Sequence, residues 1–530
     1  MKVAIQMSLL SVISGIALYF AWPNNGIFPL LFVGFVPLLF ALQILVKKQA
    51  SFTFLKAFLL LFTTYFVWSS LSLTWLYRTA IDSHIITSLL TALNYSVLLA
   101  FFPYIYKKLG INYALAYFAS ALLLADWISQ VYLLATPYFN LGLGLGKTPW
   151  LIQHYQWIGI EGGGLWIILT NLFVFKLLAD KKYSIKRFAP LASLIVLFPV
   201  LSVVIYSLPE EESEKNCLVR LHHSSINPNT QDAFNNPIQV IDSLFNSTFH
   251  HLSEAPDLVM WPETVIIRLG WLHKMDSEPT ILHLKNRLKD YPQTTIVFGA
   301  IGFSHAKSNK SKTKYTTYVP EGNYFYNTHN VAVTVSANQS TLIKSKEKFI
   351  PFHERIPYIN TLPFLTNLVD AVGTRAMFTP FKGGNPLTND LKGNHFESVL
   401  CYESLFSLFM AKKSTHKVGA ILVHANEHWL KDIAGSKQYL YENVAIAVQG
   451  GKPMLRSSNG GVSAIINKKG DIISPIIGHA TNNITAKVNL NYSTTFYSKI
   501  AGSFYAGGGI SSILLLFLSL IKKSSNIILS

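Results

Sequence analysis

Three short segments carry residue types that can do chemistry together. Cys401 ends the apolar run Ser398-Val399-Leu400 and precedes Tyr402-Glu403. Glu263 closes Trp261-Pro262-Glu263, directly after the apolar Leu258-Val259-Met260. Both stand at expected strand-to-loop junctions, where a sheet holds a side chain at its edge. Lys346 lies in Lys344-Ser345-Lys346-Glu347-Lys348-Phe349-Ile350-Pro351-Phe352-His353-Glu354. A thiol, a carboxylate and an ammonium in one domain are the parts of a cysteine-based acyl-transfer site. A thiol with a pKa near 8.5 is mostly protonated at neutral pH, so it needs a base or a positive neighbour before it attacks an ester. Taken singly, each has a plainer reading: a strand cysteine packs, and Glu or Lys at a loop start is solvated.

The elements that must position these groups divide sharply. The chain has 530 residues, of which 50% are hydrophobic and only 13% charged, with a net charge of +17. That apolar background excludes disorder and turns the basic excess toward a membrane rather than a nucleic acid. Runs of about 20 apolar residues, enough to cross a bilayer, fall at 3–22, 27–46, 55–77, 85–106, 113–134, 162–178 and 188–208, and an eighth at 504–521. The first reads as a retained helix, since no small-residue cleavage pattern follows it. The expected organisation is a seven-helix transmembrane domain over 1–208, a catalytic domain over 209–500 and a last transmembrane helix in 501–530. Between them, short β-rich runs (295–298, 331–335, 398–402, 419–423, 462–466) alternate with helix-like stretches, which predicts a layered α/β or α+β sandwich. Residues 304–317 read as a polar, Lys-rich surface loop, and 362–381 as an arm. With the N-terminus inside, the cytoplasmic segments hold thirteen Lys and Arg and the outer loops only Arg78 and Lys147. This asymmetry places the 209–500 domain outside the cytoplasm. Two cysteines, Cys217 and Cys401, do not make a disulfide framework.

The order WPE, K-x-x-x-x-PF-x-E, CYE resembles the nitrilase (carbon-nitrogen hydrolase) superfamily. With seven helices before it and one after, the whole chain is similar to the apolipoprotein N-acyltransferase family. The resemblance implies an αββα nitrilase-like extracytoplasmic domain on an eight-helix membrane bundle in the bacterial inner (cytoplasmic) membrane, with the catalytic domain periplasmic. It implies Glu263 as general base, Lys346 as oxyanion stabiliser, Cys401 as nucleophile and Glu354 as an additional acid. Tyr402, Glu403, Asn426, Trp429 and Asp126 are the implied supporting or substrate-binding residues, and Tyr326-Asn327 and the segment Arg456 to Val462 also match. The implied partners are a phospholipid acyl donor, a diacylated apolipoprotein acceptor and the bilayer, with no cofactor, no metal and no nucleic acid, and a monomer is expected. His353, Glu427-His428, Ser129 and Pro137-Tyr138-Phe139-Asn140 depart from the family pattern and bear on lid shape and substrate detail. Two other readings stay open: a membrane-tethered nitrilase-type amidohydrolase, in which water resolves the thioester, and a catalytically inactive scaffold.

Outside these segments, Asp126 is an acid within an apolar run, either a polar anchor or a substrate contact. Glu161 precedes three glycines at an expected helix start, where a carboxylate offsets the helix dipole. The adjacent pairs His222-His223 and His250-His251 point to opposite strand faces, so they do not read as a zinc site. Cys217 is expected in the core.

Overall fold

The computed structural model describes residues 2–48, 51–132, 134, 136–180, 185–210, 215–227, 236–306, 315–359, 361–362, 378–385 and 387–522. Residues 307–314 of the expected surface loop and 363–377 of the arm lie outside the described residues, as do Lys181, Lys182 and Lys523 of the charge pattern. Packing divides the chain into two units: Met1–Pro209, Lys437–Gln449 and Thr495–Ser530 form the first, Glu210–Ser436 and Gly450–Thr494 the second.

The first unit is helical because its apolar runs are long enough for many helical turns. Among the described residues, seven helices are long and apolar enough to cross a membrane: Lys2–Ala21, Phe28–Lys47, Thr53–Ser72, Ile81–Leu109, Ile111–Val131, Tyr155–Asp180 and Ser503–Ile521. The run at 188–208 falls in the helix Ile185–Ser207, whose apolar described part, Ala192–Ser207, is shorter. Ile5, Leu9 and Ile13 on the first helix and Ile510, Ile513 and Phe517 on the last are exposed, an outward apolar surface suited to lipid. Inside, Trp22, Trp68 and Phe139 pack together and Tyr65 stacks on Tyr95. The helix Tyr155–Asp180 begins earlier than the expected 162 and breaks at Gly159, whose φ of +68° is a left-handed value. The freed N–H of Ile160 donates to Gln449 Oε1 at 2.8 Å, so Glu161 sits in the first turn of the restarted helix.

The second unit is built on two sheets. The first has the order β13-β1-β2-β3-β5-β4, with β6 on β5, from β1 (Asn216–His223), β2 (Leu258–Met260), β3 (Thr295–His305), β4 (Thr317–Val319), β5 (Tyr324–Val335), β6 (Leu342–Ser345) and β13 (Asn482–Asn489). The second runs β12-β11-β10-β9-β8-β7, from β7 (Thr388–Asn389), β8 (His395–Leu400), β9 (Ala420–Asn426), β10 (Met454–Asn459), β11 (Val462–Ile466) and β12 (Ile472–Ile477). β1, β2 and β3 are parallel, as are β8, β9 and β10. Alternate residues from both sheets, including Val219, Leu258, Met260, Val297, Phe396, Leu422 and Leu455, fill one core, as the period of two requires. Cys217 belongs to this core. The other face of the first sheet packs Val259, Phe298 and Val333 against Ile241, Leu244 and Leu284 of two helices, Pro237–Phe249 and Pro279–Arg287. This layered α/β architecture matches the expectation. β3 and β5 are longer than expected, and β3 takes in Ser304 and His305 of the expected loop.

Candidate active site

β8 ends at Leu400, one residue before Cys401, because the chain turns there into a short 3₁₀ helix, Cys401–Leu405. Cys401 itself holds φ of +48°, a conformation uncommon for a residue with a Cβ and one that turns its side chain out of the strand line. Glu403 holds the turn. Its Oε2 accepts the N–H of Leu400 at 2.8 Å, and its Oε1 accepts those of Glu347 and Lys348 at 2.6 and 3.0 Å. The chain just after Lys346 is thereby tied to the turn that carries the thiol.

Glu263 follows β2, and its backbone lies against Gly299 of β3. A Cβ added at Gly299 would come within 2.4 Å of Glu263 Cα, so only glycine allows this approach. The neighbouring Thr264 accepts a hydrogen bond at Oγ1 from Asn426 Nδ2 at 2.7 Å. His424 Nδ1 contacts the Trp261 carbonyl at 2.9 Å. Burial lowers the His424 pKa to about 4, so this ring is neutral and its Nδ1–H donates to the carbonyl. It steadies the strand end. Among the described residues, no group of three or more His, Cys, Asp or Glu is placed to hold a metal ion.

Lys346 is fully buried, and its Nζ donates to Glu263 Oε1 at 2.9 Å and to Glu354 Oε1 at 2.7 Å. Burial disfavours the ammonium, yet the two carboxylates hold its pKa above the ordinary lysine range. Burial also raises Glu263 above the ordinary glutamate range, against the pull of Lys346. The Cys401 thiol is pushed up by burial first and then by the Glu263 charge, with Lys346 acting the other way. The buried site thus favours a neutral thiol at Cys401, close enough to feel an ammonium shared by two acids. Glu354 Oε2 accepts the Ile350 N–H at 2.8 Å, which folds the Phe349 to Glu354 loop onto the site.

The departures in this unit have local explanations. The left-handed residue of the Pro351-Phe352-His353-Glu354 turn is Phe352, at φ +63°, so the backbone does not call for glycine at exposed His353. Glu427 is buried and pairs with Arg456, and its Oε2 accepts from Val462 N–H at 3.1 Å and Ser458 Oγ at 3.3 Å. A Cβ on Gly461 would meet that oxygen at 2.2 Å. Asn459 joins the same end of the sheet through Asn426 Oδ1, at 3.1 Å. Trp429 is half-buried with its ring tilted beside His353, and Tyr402 is buried edge-on to Phe406.

Asp126 lies in the first unit, within the helix Ile111–Val131. Its carboxylate accepts from Tyr95 Oη at 2.5 Å and Asn140 Nδ2 at 3.1 Å, and Ser129 Oγ donates to its carbonyl. Two of the departures, Ser129 and Asn140, are thus partners of Asp126. Sequence reasoning overlooked Asn330, whose side chain bridges Glu263 and Glu354. Its signal was a polar residue opening the otherwise apolar stretch Val331-Ala332-Val333.

Comparison with known proteins agrees with both halves. Residues 14–173 match the model of the apolipoprotein N-acyltransferase N-terminal domain, and residues 234–497 match the carbon-nitrogen hydrolase model. An apolipoprotein N-acyltransferase of Rhizobium leguminosarum is 25% identical over 70% of this chain and 68% of its own. One of Geobacter metallireducens is 23% identical over 94% and 92%, and one of Pasteurella multocida 22% identical over 97% and 95%. With membrane helices and a hydrolase-type domain matched in one chain, the protein belongs to the apolipoprotein N-acyltransferase family.

Proposed function

We propose that this protein moves an acyl chain from a phospholipid to the α-amine of the S-diacylglyceryl cysteine that begins an apolipoprotein, through a thioester on Cys401. The observation that carries the reading is the buried Lys346 ammonium, bonded to both Glu263 and Glu354 and electrostatically coupled to Cys401, in a chain of this family.

In the first half-reaction Glu263 takes the Cys401 proton as the sulfur attacks the ester carbonyl. Negative charge grows on the carbonyl oxygen and Lys346 faces it, a contact of the kind worth about 3 kcal/mol in a transition state. The carbon–oxygen bond breaks, Glu263 returns the proton to the leaving alcohol, and a lysophospholipid departs. In the second half, the uncharged α-amine attacks the thioester, Glu263 accepts its proton and passes it to the Cys401 sulfur as the carbon–sulfur bond breaks, leaving an amide, a thiol and a carboxylate ready for another cycle. Glu354 keeps Lys346 aimed while Glu263 changes charge. Tyr402, Glu403, Asn426 and Trp429 support the site, and Asp126 serves as a polar anchor or substrate contact in the membrane unit. Both substrates are lipid-anchored, which accounts for a hydrolase-type domain joined to membrane helices.

The charge asymmetry of the loops supports a multi-pass protein of the bacterial inner membrane with its catalytic domain on the periplasmic side, and one copy carries every residue the reaction needs. The test uses purified protein with an acyl-labelled phospholipid and a diacylated lipopeptide, followed by mass spectrometry. Label should move to the peptide amine in wild type and not in Cys401→Ala. Label released only as free fatty acid, with the lipopeptide present, would favour the hydrolase reading instead.

A further inference from the structure

The triad is held by a fourth side chain that the reaction itself does not name. Asn330 lies in β5, and its carbonyl accepts the Lys346 N–H at 3.0 Å. Its Nδ2 donates to Glu263 Oε1 at 2.9 Å and to Glu354 Oε1 at 3.3 Å. Its own Oδ1 is buried and receives no hydrogen bond from the described residues. The amide orientation is set by its partners, because the flipped form would aim an oxygen at two carboxylates. A buried acceptor left without a donor is a cost to folding, so the gain from this residue lies in what its amide holds.

Both donors that reach Glu263, Lys346 Nζ and Asn330 Nδ2, arrive at the same oxygen, Oε1. We infer that Asn330 is a positioning residue that locks Glu263 by Oε1 and leaves Oε2 as the atom that takes the Cys401 proton. The amide is neutral, so it fixes the carboxylate without adding a second positive charge that would weaken the base. It also bridges two acids that share one ammonium, easing their mutual repulsion. Loss of the amide makes Glu263 harder to ionise and releases its rotation, two effects felt at the thiol.

This inference rests on Glu263 acting as base to Cys401 but not on which nucleophile resolves the thioester. Its test is therefore the pH dependence of Cys401 alkylation by iodoacetamide in the full-length protein, read peptide by peptide. In Asn330→Leu the acid limb should move up by roughly half to one pH unit, and the plateau rate should fall. Asn330→Asp, the same size without the donor and with a third acid, should move it further. In a Glu263→Gln background, Asn330→Leu should change the rate little more, because the residue acts through Glu263. An unshifted acid limb in folded Asn330→Leu overturns the inference, and if that variant does not fold, an unshifted limb in Asn330→Asp does so. A shifted limb in protein that fails to acylate the lipopeptide would keep the positioning role and reject the transferase reading.

Discussion

Glu403 Oε1 accepts the backbone N–H of Glu347 at 2.6 Å, so the residue next to Lys346 is fastened to the turn that begins with Cys401. Glu403→Ala would leave three backbone N–H groups without their acceptor. The expected loss is roughly 2–4 kcal/mol of stability, with a fall in transfer rate, measured by thermal melting in detergent and by the acylation assay.

Glu403 also makes a prediction in pH. Burial, opposed by those backbone N–H groups, raises its pKa to about 7. The folded state then binds the proton more tightly than the unfolded one, so the stability it contributes is present below the ordinary value of 4.5 and lost as pH rises through 7. The melting temperature of Glu403→Gln should fall less between pH 5 and 7 than that of wild type. Equal slopes for the two proteins would reject this role.

Lys346 neutralises two acids at once. In Lys346→Met, Glu263 and Glu354 would face each other without their cation, a loss expected to cost about 3–5 kcal/mol and at least ~10³-fold in transfer. Adding Glu354→Gln should recover much of the stability and none of the activity. Recovery of transfer in the double variant would show that the ammonium serves only the fold.

Gly299 packs closely against the backbone of Glu263, the proposed base. Its Cβ would fall 2.4 Å from Glu263 Cα and 2.8 Å from Thr264 N, so Gly299→Ala must push the strand end outward. A displacement near 1 Å is expected to lower transfer about 10²-fold while far-ultraviolet dichroism stays unchanged. Wild-type turnover in that variant would mean that the position of Glu263 is not critical.

Transfer itself should follow the ionisation of Glu263. Burial raises that carboxyl above its ordinary 4.5, so the base is increasingly protonated below the raised value and the acid limb of the rate profile should lie above pH 4.5. A profile flat from pH 4 to 7 would point to a different base.

The pattern of the chain carried much of this. Apolar runs and the thirteen-to-two sorting of loop charge depend only on local composition, and Glu263, Lys346 and Cys401 stand in short segments whose order can be read along a line. Strand ends were legible for the same reason, since a period of two switches off where the run stops. What a line of residues does not encode is contact between distant positions. Asn330 looked like one polar residue at the start of an apolar stretch until β3 and β5 brought it to Glu263. Glu403 was implied as a supporting residue, but how it supports the site became visible only when its two oxygens met the backbone of Leu400, Glu347 and Lys348. The kink at Gly159, capped by Gln449, and the packing of Lys437–Gln449 with the first unit belong to the same class. The sequence by itself determined which groups were available and on which elements they stood. Tertiary structure decided which oxygen of Glu263 is held and how Lys346 is shared, because hydrogen bonds at 2.6–3.3 Å require atoms brought together from segments separated by tens of residues.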